Sequence, residues 1–197
     1  MSSTLIRAAM AACVMQGSLA WAAPQSIKVI TFGGESVANA AVSVYVKGAP
    51  RTAPATASAD MKQVQRSFVP SLLVVQTGTS VHFPNFDTVR HHVYSFSPTK
   101  TFELKLYAGT PAQPVVFDKA GTATLGCNIH DRMLAYIHVV DTPYFGVTDG
   151  LGNVTIDLPP GDHTVRVWTP NMGETQPGVT QSVRAGQGSV TARISNP

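Results

Sequence analysis

Beyond residue 23 the chain never sustains the roughly 3.6-residue apolar repeat of a helix. Its apolar residues come instead in short runs, several of them alternating, each closed by Gly, Pro, Asn or Asp. Alternation turns one face of each run toward a core, and frequent turn residues reverse the chain. The pattern therefore predicts an all-β fold. Sixteen Gly and 14 Pro in 197 residues supply the turns and exclude a helical bundle. A 44% hydrophobic, 13% charged composition excludes disorder, which pairs high charge with few apolar residues. The length fits one domain or two small ones. A net charge of +3 is too small to suggest nucleic acid, but it permits an acidic protein partner.

Strands are expected over Ser26–Phe32 and Ala40–Val46, flanking Gly33-Gly34. Lys47–Asp60, rich in Ala, Pro, Thr and Ser, reads as a linker or exposed loop. Ser67–Gln76 and Ser80–Phe83 follow, joined by Thr77-Gly78-Thr79, and then His92–Phe96, Thr101–Tyr107, Pro114–Phe117 and Thr122–Leu125. Leu134–Val140 is a further strand, with Leu134, Tyr136, His138 and Val140 on one face. The tail reads as hairpins that include Gly152–Ile156, His163–Trp168 and Ser189–Ile194. Domain boundaries are expected near Asp60 and Thr142.

Met1–Ala22 reads as an export signal: Arg7 supplies the positive start, Ala8–Leu19 the apolar stretch and Ala20-Trp21-Ala22 the cleavage site. The apolar run falls short of the ~20 residues of a spanning helix, and no later segment is long and apolar enough to span. Cleavage after Ala22 would remove Cys13 and leave Cys127 as the single thiol. Exported proteins normally pair their thiols, so a lone Cys is either buried and inert or bound to a metal.

The neighbours of Cys127 favour a metal. Cys127, His130 and Met133 spell C-x2-H-x2-M, and Asn85–Val93 supplies His91 and His92. One thiolate, two imidazoles and one thioether are the ligand set of a blue-copper site, in which soft sulfur suits Cu(I) and imidazole tolerates Cu(II). Strand alternation points His91 and His92 to opposite faces, so one of them can ligate while the other supports the site or meets solvent. His82 and His138 sit inside strand patterns and read as structural. No Ser-His-Asp set, paired carboxylates or phosphate loop stands out, so no catalytic activity is expected.

Gly78–Val140 resembles the cupredoxins, and its short Cys-to-Met loop is similar to that of the amicyanin group. In plastocyanin-like and amicyanin-like members the upstream ligand precedes Asn-Val and lies six residues after an Asn. Here Asn85 lies six residues before His91, with His92 in the Asn place. The resemblance implies that His91, Cys127, His130 and Met133 are the ligands of one type 1 copper ion, supported by Asn85 and His92. The phrases FPNFDTVRHHVYSFS, FELKLY, GCNIHDRM and DTPYF, covering most of residues 61–148, resemble the cupredoxin-type methylamine utilization proteins of Gram-negative bacteria. Gly126 and Asn128-Ile129 depart from the usual residues around the Cys of small cupredoxins, which bears on potential and colour more than on copper binding.

What this resemblance implies is a cupredoxin Greek-key β-sandwich carrying single electrons in the periplasm. A c-type cytochrome or a periplasmic dehydrogenase would be the partner, with Arg90 and Arg132 beside the electron port. Copper binding and delivery without redox turnover is the alternative. The stretches Thr148-Asp149, Gly152-Asn153-Val154 and Leu158–Val165, with an opening at Gly34 and Val37–Val42, resemble the carboxypeptidase regulatory-like, Ig-like sandwich. That implies a smaller sandwich split into residues 24–49 and 143–197, with the cupredoxin domain at 60–142 inserted. Such insertion is easy because the termini of a domain lie close together. The rival is one cupredoxin over residues 24–142 with a C-terminal appendage.

Overall fold

Two separate apolar cores organise the chain, each enclosed between sheets. The computed structural model describes residues 22–186 and 188–195. Residues 1–21 of the expected export signal, and Cys13 with them, lie outside the described residues. The strands in chain order are β1 (Ala23–Thr31), β2 (Ala41–Tyr45), β3 (Ser58–Asp60), β4 (Lys62–Val64), β5 (Ser67–Val69) and β6 (Leu72–Gln76). Next come β7 (Thr79–His82), β8 (His91–Ser97), β9 (Lys100–Tyr107), β10 (Val115–Phe117), β11 (Gly121–Cys127) and β12 (Leu134–Val140). The last five are β13 (Tyr144–Val147), β14 (Asn153–Leu158), β15 (Gly161–Trp168), β16 (Val179–Ala185) and β17 (Val190–Ile194). The fold is all-β. Among the described residues the one helical element is a 3-10 turn at Pro170–Met172.

The first core lies between the antiparallel sheet β13-β2-β15-β16 and the sheet β14-β1-β17, in which β1 and β17 run parallel. Ile27, Val29, Val42, Val44, Val165 and Ile194 fill it and are fully buried. These six come from strands at both ends of the chain, whose alternating apolar residues close one interior. The second core lies between the five-stranded sheet β6-β12-β11-β8-β9 and the small sheet β10-β7-β3. Val81, Phe83, Val93, Phe117, Leu125 and Ile137 fill that one.

Several elements depart from the sequence reading, each for a local reason. Ser67–Gln76 is two strands, because Pro70 offers no N–H to a ladder; β5 pairs with β4, whereas β6 pairs in parallel with β12. The end of Lys47–Asp60 is not loop, because β3 pairs there in parallel with β7. Strands β4 and β16 had no sequence signal. The first is three residues long, and the second is largely polar, with only Val183 and Ala185 buried at its C-terminal half.

Strand β12 is buried on both faces. Ala135, Ile137 and Val139 enter the second core, while His138 and Val140 face the other way. That outer face is covered by Trp168 of β15, whose ring packs on Tyr136 at 5.5 Å and on His138 at 4.8 Å between centroids. Ala41, Leu72, Val74, Val140 and Trp168 form a small third cluster where the two bodies meet. Tyr136, His138 and Val140 share one face as expected, and that face forms the junction, while Leu134 at its end is 55% exposed. No helix among the described residues is long and apolar enough to cross a membrane.

Candidate metal centre

Strands β8 and β11 are antiparallel neighbours, with Cys127 opposite Val93. His91 opens β8 and Cys127 closes β11, so the ladder brings both to one end of the five-stranded sheet. The chain then leaves the sheet in a tight loop. The Asn128 N–H donates to the His92 carbonyl at 3.1 Å, and the Met133 N–H donates to the His130 carbonyl at 3.0 Å. This second bond folds His130 back over Cys127.

Three donor atoms converge as a result. His91 Nδ1 lies 3.7 Å and His130 Nδ1 3.8 Å from Cys127 Sγ. The ligand atoms of all three residues lie within 4.8 Å of one another. Bonds of about 2.3 Å to sulfur and about 2.0–2.1 Å to nitrogen at one first-row ion set S···N separations between about 3.5 Å (tetrahedral, shorter N bond) and about 3.8 Å (trigonal, longer N bond). The observed pair fits that window. The chemistry of the set fits as well, since one thiol and two imidazoles suit copper better than a hard cation. Cys127 and His91 are buried and His130 is partly exposed. Met133 is buried in the same apolar cluster as Cys127.

The upstream histidines divide as strand alternation requires. The His91 ring points inward and is fully buried, whereas the side chain of His92 crosses to β9, where its Nε2 lies 2.7 Å from the Glu103 carboxylate. His92 therefore supports the Cys127 loop with its backbone carbonyl, and its ring takes no part in the site. Asn85 does not touch the three donors either. Its side-chain NH2 donates to the carbonyls of Val89 (2.9 Å) and Tyr107 (3.2 Å), and its Oδ1 accepts from the Asp87 N–H at 2.9 Å. Asn85 thus shapes the loop that delivers His91. His82 is half-buried on β7, and His138 is buried at the junction with Trp168. Arg90 and Arg132 are exposed, as are Phe86, Ile129 and Leu134 in the same two segments.

One polar partner of the site escaped the sequence reading. The Asp87 carboxylate lies 2.8 Å from Nε2 of His91, on the side of the ring away from Cys127. Burial pushes this carboxyl up, but hydrogen bonds from the Arg66 N–H, the His91 ring and the Gln65 N–H outweigh it and hold Asp87 below the usual carboxylate range. An acidic residue four positions before a candidate His ligand was the available signal. Tyr107 is the other neighbour, and its hydroxyl lies 2.6 Å from Gln63 Oε1 and 2.9 Å from the Phe83 carbonyl. Burial raises its pKa well beyond the usual phenol range.

No family model matches the chain, and no curated protein matches it. Among solved structures it is similar to the Cu-containing nitrite reductase of Thermus scotoductus, at 25% identity and a TM-score of 0.38, over 49% of this chain and 25% of that one. It is similar to the purple cupredoxin of Nitrosopumilus maritimus at 20% identity and a TM-score of 0.36, over 42% of this chain and 98% of that one. Amicyanin from Paracoccus versutus matches at 16% identity and a TM-score of 0.35, over 50% of this chain and 96% of that one. The chain thus spans about a quarter of the nitrite reductase and nearly all of the two small proteins.

Proposed function

We propose that this chain is a periplasmic type 1 copper protein that carries single electrons between redox partners, with one ion held by His91, Cys127, His130 and Met133. The observation that supports it most is the convergence of one thiol and two imidazole Nδ1 atoms from segments 36 residues apart. Copper bound there supplies a one-electron Cu(I)/Cu(II) couple.

The remaining roles belong to the protein. The ends of β8 and β11 hold His91 and Cys127 in a buried frame, which limits donor movement between redox states. The partly exposed His130 offers a path to the surface. Exposed Phe86, Ile129 and Leu134 supply an apolar contact area, and Arg90 and Arg132 favour transient docking of an acidic partner such as a c-type cytochrome or a dehydrogenase. We read the chain as a cupredoxin-type sandwich inserted into an Ig-like one, because β1 and β2 share sheets with β13–β17 while β3–β12 enclose their own core. Arginine exposure also makes the docking idea testable: Arg90→Glu is expected to weaken the ionic-strength dependence of electron transfer.

Copper delivery without redox turnover is the second reading, favoured by the partial exposure of His130. The deciding experiment is a visible spectrum of the copper-reconstituted protein beside Cys127→Ala. A thiolate-to-copper band near ~600 nm, absent from the variant, is expected. Its absence from the wild type would overturn the type 1 assignment. Stopped-flow mixing of the reduced protein with an oxidised c-type cytochrome, set against transfer of copper to a chelator, then separates carriage of electrons from carriage of metal.

A further inference from the structure

The hairpin of β4 and β5 turns through only two residues, Gln65 and Arg66, with Val64 opposite Ser67. Both turn residues have positive φ, 53° and 56°. Such two-residue turns normally take Asn or Gly, for which left-handed backbone is cheap. Gln and Arg have no such advantage, so the turn needs compensation from outside the hairpin. Asp87 provides it. Its Oδ1 accepts from the Gln65 N–H at 2.5 Å and its Oδ2 from the Arg66 N–H at 2.8 Å. Successive N–H groups converging on one anion form a backbone nest.

The same Oδ2 receives His91 Nε2 at 2.8 Å. The loop bearing Asp87 is tied to the hairpin from the other direction too, since Gln63 N–H donates to the Pro84 carbonyl and Phe86 N–H to the Gln63 carbonyl, at 2.9 and 3.0 Å. Asp87 therefore sits in a rigid clip, and its free lone pairs leave the His91 ring one orientation. With Nε2–H donated to the carboxylate, Nδ1 presents its lone pair toward Cys127 Sγ. A carboxylate behind a ligating imidazole also raises the basicity of that ligand.

We propose that Asp87, clamped by the Gln65–Arg66 nest, is a positioning residue for the candidate centre: it fixes the His91 tautomer and lowers the reduction potential by stabilising the more highly charged metal state. The proposal rests on the copper reading above. In the apo protein, long-range 1H–15N NMR should find His91 protonated on Nε2, and Asp87→Ala should lose that single tautomer. In the copper-loaded protein, Asp87→Asn should weaken Cu(II) binding about 10- to 100-fold while Cu(I) binding changes less. A tenfold difference between the two states corresponds to a potential raised by about 59 mV for one electron.

A wild-type ring protonated on Nδ1 in the apo state overturns the role of Asp87, as does an unchanged potential in an Asp87→Asn variant that keeps the thiolate-to-copper band. A wild type without the band overturns the copper reading instead, so the two failures are told apart by one spectrum. Asp87→Asn preserves the size and one acceptor of the side chain, which guards against a folding defect in Asp87→Ala.

Discussion

Lowering the pH should loosen the junction between the two bodies through one residue, His138. Its ring stacks on Trp168 at 12° between planes, its Nδ1 lies 2.9 Å from the Thr122 hydroxyl, and it is 5% exposed. Burial and, secondarily, the Arg166 charge lower its pKa to about 4. An unfolded chain titrates this group near ~6.5. The folded value is the depressed one, so the neutral ring's contribution is complete above the unfolded pKa. It is lost as pH falls from ~6.5 toward about 4, because the unfolded state binds the proton first. A gap of ~2.5 units at ~1.36 kcal/mol each is about 3 kcal/mol, a large share of the stability of a small domain.

The assay is urea denaturation at a series of pH values from about 7.5 down to about 4, on the wild type and on His138→Gln. Gln stays neutral throughout and can still meet Thr122. The variant should be less stable near neutrality because the stack on Trp168 is gone, and its stability should fall less steeply in acid. The stability difference between the two proteins should therefore shrink by about 3 kcal/mol across the series. Comparing the proteins cancels the titration of the other histidines. Parallel pH profiles refute the reasoning, and so does an NMR titration that places the folded His138 midpoint near its ordinary value.

Two further substitutions probe the packing. Trp168→Ala should cost about 3–5 kcal/mol, because it empties a fully buried site and strips the cover from Tyr136 and His138; chemical denaturation measures it, and a loss below about 1 kcal/mol would show that the junction is not held there. Gly126→Ala places a Cβ 2.7 Å from the Tyr94 ring and hydroxyl, one residue before Cys127. The expected loss is about 1–3 kcal/mol, recovered in part when Tyr94→Ser is added; strict additivity of the two changes would place the strain in the backbone instead.

The limits of sequence reading follow from how far each contact reaches along the chain. His130 follows Cys127 at three residues, and a loop that short has few ways to fold, so that pairing of thiol and imidazole was legible as a spacing. His91 was legible as a choice of two, because strand alternation separates neighbours but does not say which face is inner. Asp87 carried only a weak local hint. Its orientation depends on a two-residue turn more than 20 residues upstream whose Gln-Arg sequence gives no turn signal. Strand β12 was legible with its two faces, but not what covers them: Trp168 from a distant strand packs on the face of Tyr136 and His138.

Period-two alternation, turn residues and the close spacing around Cys127 thus determined an all-β chain with a sulfur–imidazole loop, because these are local properties of the backbone. Strand alternation left two histidines open and only the resemblance pointed to His91; what stands behind its ring and how the two cores join were decided by the tertiary structure. Those contacts depend on strand register and on hydrogen bonds between remote segments, which leave at most a faint mark nearby, such as Asp87 four residues before His91.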